Sequence, residues 1–500
     1  MNRTRAGKLA VFGGALFLIG TFFTFSLSKI VELGVRHLQQ LRYGSDMFYK
    51  WIELPIPLTI QFYLFEVMNP MAVINGAKPV VRERGPYTFW EYRKKEIIEY
   101  SSDGTKVSYW ETKTYYFDPS RSVGSIDEKI TVINAPMVAI GDFVSKLTSE
   151  RMSALTLGVL NTLFAVYRTN LFIQKSPREI IFDGYRVREL DTLLTLAKPI
   201  EALNILQIPR PLPNNTFGLF YNRNGTPEAF YEVYTGTGGF SDKFAYLISY
   251  RGKNKLNFWN SEYCNMINGT DGVQYQPYIT KQDRLYFFAF DLCRSIYLTY
   301  ESDSEVQGIP TYRFTPPDEL FQGPHKNPDN MCFCPYPKTP QKCYLDGVLD
   351  ISACWAGAPI ILSNPHYLYA SKEIQDSVVG LKPNADIHLS ALHIEPRVGA
   401  ILKANRRLQV SVKLERVPFL RQMRNIRKEG IIPLLWLDES AEIDDALRQE
   451  INFKLIYPTK LGHASFPAMM VAGLVIFFVS GIAYFYRRQE SVKVNSQSIV

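Results

Sequence analysis

The segment SEYCNMINGTDG, residues 261–272, decides how the rest of the chain is read. It sets Cys264 four residues ahead of an acceptor sequon, Asn268-Gly269-Thr270. A reactive thiol there would mean a reducing compartment and chemistry to perform. Half of a disulfide beside a glycan would mean a fold stapled by cross-links outside the cytoplasm. The other cysteines bear on the choice. There are six, Cys264, Cys293, Cys332, Cys334, Cys343 and Cys354, gathered in 91 residues. An even number so grouped reads as three disulfides, their pairing left open. Cys332-Phe333-Cys334 is spaced C-x-C, not the redox C-x-x-C, and no histidine stands within it. Neither a metal nor a redox role is expected. Two further sequons, Asn214-Asn215-Thr216 and Asn224-Gly225-Thr226, agree with the extracytoplasmic reading, Pro227 lowering occupancy at the second.

The chain of 500 residues carries an apolar segment near each end. LAVFGGALFLIGTFFTFSLS, 9–28, is uncharged between Lys8 and Lys29; as a helix it is about 30 Å long, enough to span a bilayer. It is longer than a signal-peptide core, and Ser26 and Ser28 make a weak cleavage site, so it reads as a retained anchor. ASFPAMMVAGLVIFFVSGIAYFY, 464–486, is bounded by His463 and Arg487. Arg3, Arg5 and Lys8 precede the first span; Arg487, Arg488 and Lys493 follow the second. By the positive-inside rule both termini, 1–8 and 487–500, are cytoplasmic, and the chain is a two-span membrane protein whose intervening residues lie outside the cell or in a lumen. Residues 29–463 form the ectodomain, and the sequon at Asn2 is expected to be bare. The segment 30–41, IVELGVRHLQQL, reads as a helix extending the first anchor.

With 46% hydrophobic and 14% aromatic residues the chain is not disordered, and a net charge of +8 does not suggest nucleic acid. Within the ectodomain, LTIQFYLFEV (58–67) and KVSYWETKTYYF (106–117) read as strands. Residues 136–174 read as two or three helices, unusually apolar at Leu155, Leu157, Val159, Leu160, Leu163 and Phe164. DTLLTLAKPI, 191–200, adds a short helix. GLFYNR, AFYEVYTG and KLNFWN read as hairpin material, and Gly236–Gly239, lacking a Walker lysine, as a turn. In RLQVSVKLERV, Leu408, Val410, Val412 and Leu414 alternate with polar residues, the mark of a half-buried antiparallel strand; IIPLLWL, 431–437, is another. From Glu395 to Glu429 there are ten Arg or Lys against three Glu, a stretch suited to an anionic particle surface. The fold class is α+β: one mixed domain with a large antiparallel core and a helical insertion. No H-E-x-x-H, G-x-S-x-G, dinucleotide or Walker motif is present. His388 and His393 near Asp386 do not amount to a catalytic site. No enzyme activity and no cofactor are expected.

WIELPIPL (51–58), NPMAVINGAKPVVRERGPYTF (69–89), EYCNMINGTDG (262–272), GIPTYRFTPPDELF (308–321), MCFCPYP (331–337) and IPLLWLDES (432–440) resemble the class B scavenger receptor family, most of all its type 1, lipoprotein-receptor branch. The likeness spans nearly the whole chain and includes all six cysteines. It implies an antiparallel β-barrel with a helical bundle at its membrane-distal apex, here about 136–200. It also implies a tunnel that carries cholesterol, cholesteryl esters or related apolar lipids. The implied disulfides are Cys264–Cys332, Cys293–Cys354 and Cys334–Cys343. Leu155, Leu160, Phe164, Arg168 and Lys175 are the candidate lipid contacts, the last two standing near where the family places a basic residue at the lipid entrance. The tail RRQESVKVNSQSIV lacks a dileucine signal, which argues against the lysosomal branch of the family, and lacks a cysteine for palmitoylation. Its last residues, Ser498-Ile499-Val500, fit a PDZ groove.

The resemblance implies a cell-surface receptor for lipoprotein particles, apolar lipids and phospholipids, with further copies of the chain as another partner. Uptake through a tunnel would be passive. Each CH₂ exposed to water costs roughly 0.8 kcal/mol, and a sheltered path lowers that barrier. The competing expectation is an endocytic scavenger or pattern-recognition receptor, or a lysosomal sorting receptor.

Overall fold

A computed structural model of the chain describes residues 3–56, 58–147, 150–202, 210, 212–343, 345–426 and 430–497. They fall into two units, one of residues up to Gln39 together with those from Ile443, the other Gln40–Glu442. The first is built on two long helices, Arg3–Leu38 and Tyr457–Gln497, and the helix of the first apolar run continues to Leu38, through most of the segment 30–41 read as its extension. Both helices are long and apolar enough to cross a membrane. Val11, Phe25, Val479 and Phe485 point outward and are mostly exposed, a surface suited to hydrocarbon and not to water. The two helices meet backbone to backbone. A Cβ on Gly13 would lie 2.5 Å from the Phe477 nitrogen, and one on Gly473 would lie 2.4 Å from that of Phe17. Small residues permit such an approach in a membrane helix pair. Phe23 stacks on Phe466 with ring centroids 4.8 Å apart.

The second unit is an antiparallel barrel. Its strands are β1 (Leu58–Val67), β2 (Val81–Tyr100), β3 (Lys106–Phe117), β4 (Thr226–Tyr234), β5 (Leu247–Tyr250), β6 (Leu285–Ala289), β7 (Arg294–Val306), β8 (Ile309–Thr315), β9 (Ala391–Glu395), β10 (Ala400–Leu414) and β11 (Gly430–Glu442). They neighbour one another in the order β6-β7-β8-β9-β10-β11-β1-β2-β3-β4-β5, and a short hairpin, Val348–Asp350 with Ile360–Ser363, joins through β10. Both β1 and β3 coincide with the β-branched and aromatic runs that predict them. Two residues link the edges β5 and β6. Leu247 N donates to Gly269 O at 2.8 Å, Thr270 N donates to Tyr286 O at 3.1 Å, and Phe288 N donates to Thr270 O at 2.9 Å. The sequon of the opening segment is the seam that closes the sheet. Gly269 sits at φ +83°, and a Cβ there would lie 2.1 Å from the Tyr286 carbonyl carbon, so no other residue fits.

Helices Ala135–Leu147, Glu150–Tyr167 and Arg188–Ala202 form a helical cap. Val138, Leu157, Leu160 and Phe164 pack in one cluster with the barrel residues Ile60, Phe62, Leu64 and Phe89. Three expectations are corrected. Phe172–Lys175, overlapping the end of the segment 136–174 read as helical, is a strand paired with Ile130–Ile133, where β-branched and aromatic residues favour extended backbone. GLFYNR is a turn, its Phe220 ring packed against Phe62 and Tyr115. KLNFWN is an irregular loop: Asn265 Oδ1 accepts from the Phe258 and Trp259 nitrogens.

Candidate functional site

Two regions of the barrel unit carry unusual chemistry. The first is the surface of the cap. On the helix Glu150–Tyr167, Leu157, Leu160 and Phe164 point inward, while Val159 and Val166 stand 46% and 69% exposed. The irregular segment 415–426, which follows β10, lies against this helix. Asn161 Nδ2 donates to Phe419 O at 2.7 Å, Asn161 Oδ1 accepts from Arg421 N at 2.9 Å, and Gln422 Nε2 donates to Thr169 O at 2.6 Å. Leu420 and Met423 anchor the loop in the core. Phe419, Arg416, Arg421 and Arg424 remain exposed. The basic stretch and the apolar helix, read separately from sequence, therefore make one surface, apolar with a cationic border.

Of the candidate lipid contacts, Leu160 and Phe164 are core residues, 0% and 4% exposed. Arg168 is exposed at the end of its helix, at φ +54°. Lys175 is half-buried, its Nζ 3.0 Å from Glu179 and over the Tyr185 ring. The Leu155 side chain lies outside the described residues, as do Arg427 and Lys428 of the basic stretch.

The second region is the barrel interior, which sequence reading missed. Along β2 the inward positions read Tyr87, Phe89, Glu91, Arg93, Lys95 and Ile97; along β3 they read Val107, Tyr109, Glu111, Lys113, Tyr115 and Phe117. Charged residues thus interrupt an apolar lining on both strands. Arg93 spans Glu91 and Glu439, at 2.6 Å each. Arg406 of β10 also holds Glu439, at 3.2 Å. Lys95 lies 3.5 Å from Glu111 and 3.6 Å from Asp271, and Lys113 lies 3.2 Å from Glu228. Burial pushes the Glu91 carboxyl up, away from its charged form. At Glu439 burial also opposes charge, but Arg406 and Arg93 outweigh it and hold the carboxylate down. Arg406 and Lys113 keep 31% and 20% of their side-chain surface accessible, so the charged ring is not close-packed throughout.

The cysteines pair as Cys264–Cys332, Cys293–Cys354 and Cys334–Cys343. Asn214 is exposed, Asn268 half-buried. Asn224 is exposed, but its amide accepts from Tyr115 N and donates to Tyr115 O. His388 stacks on His366, and the His393 ring meets Ser304. Among the described residues no group of three His, Cys, Asp or Glu is placed to hold a metal ion.

The CD36 family profile matches residues 10–484, which is most of the chain. The chain belongs to the CD36 family. It is similar to lysosome membrane protein 2 of Homo sapiens, 34% identical over 86% of this chain and 84% of that protein. It is similar to scavenger receptor class B member 1 of Sus scrofa, 31% identical over 98% of this chain and 91% of that one, and to the same receptor of Mus musculus, 32% identical over 95% and 89%. Both branches are thus matched at comparable identity, so the comparisons show the CD36 family as a whole and not the expected type 1 branch. Membership places the chain among non-catalytic receptors of lipids and lipoproteins, embedded in a membrane.

Proposed function

We propose that this chain is a cell-surface lipoprotein receptor of the type 1 kind, which takes up cholesterol, cholesteryl esters and related apolar lipids passively through its barrel. The observation that carries this reading is the barrel interior, where charged side chains keep accessible surface inside a closed sheet. The cap supplies a surface on which a particle can dock: exposed Val159, Val166 and Phe419 beside three exposed arginines. Residues 9–28 and 464–486 are the proposed spans, with both termini cytoplasmic and residues 29–463 outside the cell. Asn214, Asn224 and Asn268 are the proposed glycan sites, Asn224 the least occupied because its amide holds Tyr115. A PDZ domain, at residues 498–500 outside the described range, and further copies of the chain are the remaining proposed partners.

The test uses cells expressing the chain and lipoprotein labelled separately on protein and lipid. Lipid label should accumulate well beyond protein label. Ala404 occupies an inward position on β10, two residues from Arg406. Ala404→Trp should lower lipid uptake severalfold while particle binding is unchanged. Equal uptake of both labels would replace this reading with whole-particle endocytosis. The likeness to lysosome membrane protein 2 favours a second reading, a sorting receptor of lysosomes, which predicts that the chain resides in acidic compartments and not at the cell surface.

A further inference from the structure

The buried apolar side chains of the barrel unit form two main clusters. One holds Phe62, Tyr87, Phe89 and Tyr115; the other holds Val107, Tyr109, Ala229 and Val233. On β2 and β3 the residues between these clusters are the charged ones. An apolar molecule passing along the barrel interior from one cluster to the other must therefore cross a belt of fixed ion pairs. Such a belt is a poor stabiliser, since burying ions offsets most of their attraction, and apolar residues at the same positions would serve a simple core as well or better.

The belt is also incomplete. Glu91 is fully enclosed and its Oε1 accepts from Arg93 Nε, but its Oε2 has no hydrogen-bond partner. The hydroxyl of Tyr275, which lies in the field of Arg406 and Asp271, is also enclosed without one. Buried polar atoms are nearly always paired, so an unpaired acceptor among charges marks a place for a donor. The charge balance says which donor. Arg93, Lys95, Lys113 and Arg406 each already hold a carboxylate, so an anionic lipid end finds no unengaged cation there and meets carboxylates instead.

We propose that this belt is a polar gate across the barrel, passing uncharged lipids that carry a hydroxyl in preference to lipids of the same shape without one, with Glu91 Oε2 accepting from the hydroxyl as the belt parts. The proposal rests on the conduit reading above and adds the class of molecule the conduit favours.

The experiment compares a labelled sterol with its 3-methyl ether, which keeps the oxygen but carries a methyl group in place of the donor hydrogen. Each is delivered in lipoprotein to cells expressing the full chain, and uptake by cells without the chain is subtracted. The sterol should enter about tenfold faster than the ether, the discrimination expected of one buried hydrogen bond. Glu91→Leu should erase the difference. Equal rates in the unaltered chain would overturn the gate, as would a preference that survives Glu91→Leu in full. The comparison in the unaltered chain decides the matter even where Glu91→Leu does not reach the surface. If neither probe enters faster than the particle's protein label, the conduit reading falls and the gate with it. Equal, fast entry of both removes the gate alone.

Discussion

Gly269 carries more of the architecture than its size suggests. Its positive φ and the 2.1 Å that would separate a Cβ from the Tyr286 carbonyl carbon leave no room for adjustment, because the obstacle is backbone. Gly269→Ala should cost about 3 kcal/mol, read as a lowered melting point and less chain at the cell surface. His388 bears on acid stability. Burial pushes its imidazole down to about 4; His366, stacked at 4.3 Å, and Arg407 press the same way, and Glu83 opposes them. Its Nδ1 accepts from the Asn384 nitrogen, a bond that protonation there would break. With the folded value below the ordinary 6.5, the unfolded chain binds more protons between the two. The stability His388 contributes is full above pH 6.5 and is lost as pH falls toward 4. Denaturation midpoints measured across that window should fall on acidification, and less steeply in His388→Asn.

The cap helix Glu150–Tyr167 divides its labour by face. Leu160 packs in the core and Leu160→Ala should cost about 2–5 kcal/mol. Val159 and Val166 are exposed, so replacing both with Asp should leave stability nearly unchanged and lower particle binding severalfold, measured on cells at 4 °C. A mutant series reversing that pattern would mean that particles dock elsewhere. The two long helices of the other unit are another element with a defined tolerance. Their backbones touch at Gly13 and Gly473, so the sequence there is constrained by contact between helices and not only by hydropathy.

At the scale of the molecule, the cross-links differ in what they restrain. Cys264–Cys332 closes a separation of 68 residues and Cys334–Cys343 one of 9. On chain-entropy grounds the first stabilises by about 4.4 kcal/mol and the second by about 2.6 kcal/mol. Paired serine substitutions followed by thermal denaturation should preserve that ranking. Much of this architecture was legible beforehand. The strands β1 and β3 are runs of aromatic and β-branched residues, and the cap is an apolar stretch with little proline. Phe172–Lys175 was not legible, because four residues following a helical pattern carry no period of their own. The charged belt was hidden for a different reason. Glu91, Arg93 and Lys95 alternate with Tyr92, Lys94 and Glu96, so the strand is polar on both faces and reads as solvated. The surface shared by the cap helix and the basic loop was hidden by distance, since Asn161 and Arg421 lie 260 residues apart in the chain.

The seam at Gly269 and Thr270 also orders events in time. In the finished barrel Thr270 has no exposed surface, and its hydroxyl accepts from the Gly272 nitrogen. An enzyme adding a sugar to Asn268 must engage that hydroxyl, so any glycan there has to be attached before the seam closes. Under the proposed topology, occupancy at Asn268 would then be a record of folding speed: a chain that closes its barrel early would stay bare at this position, and one that lingers open would be marked.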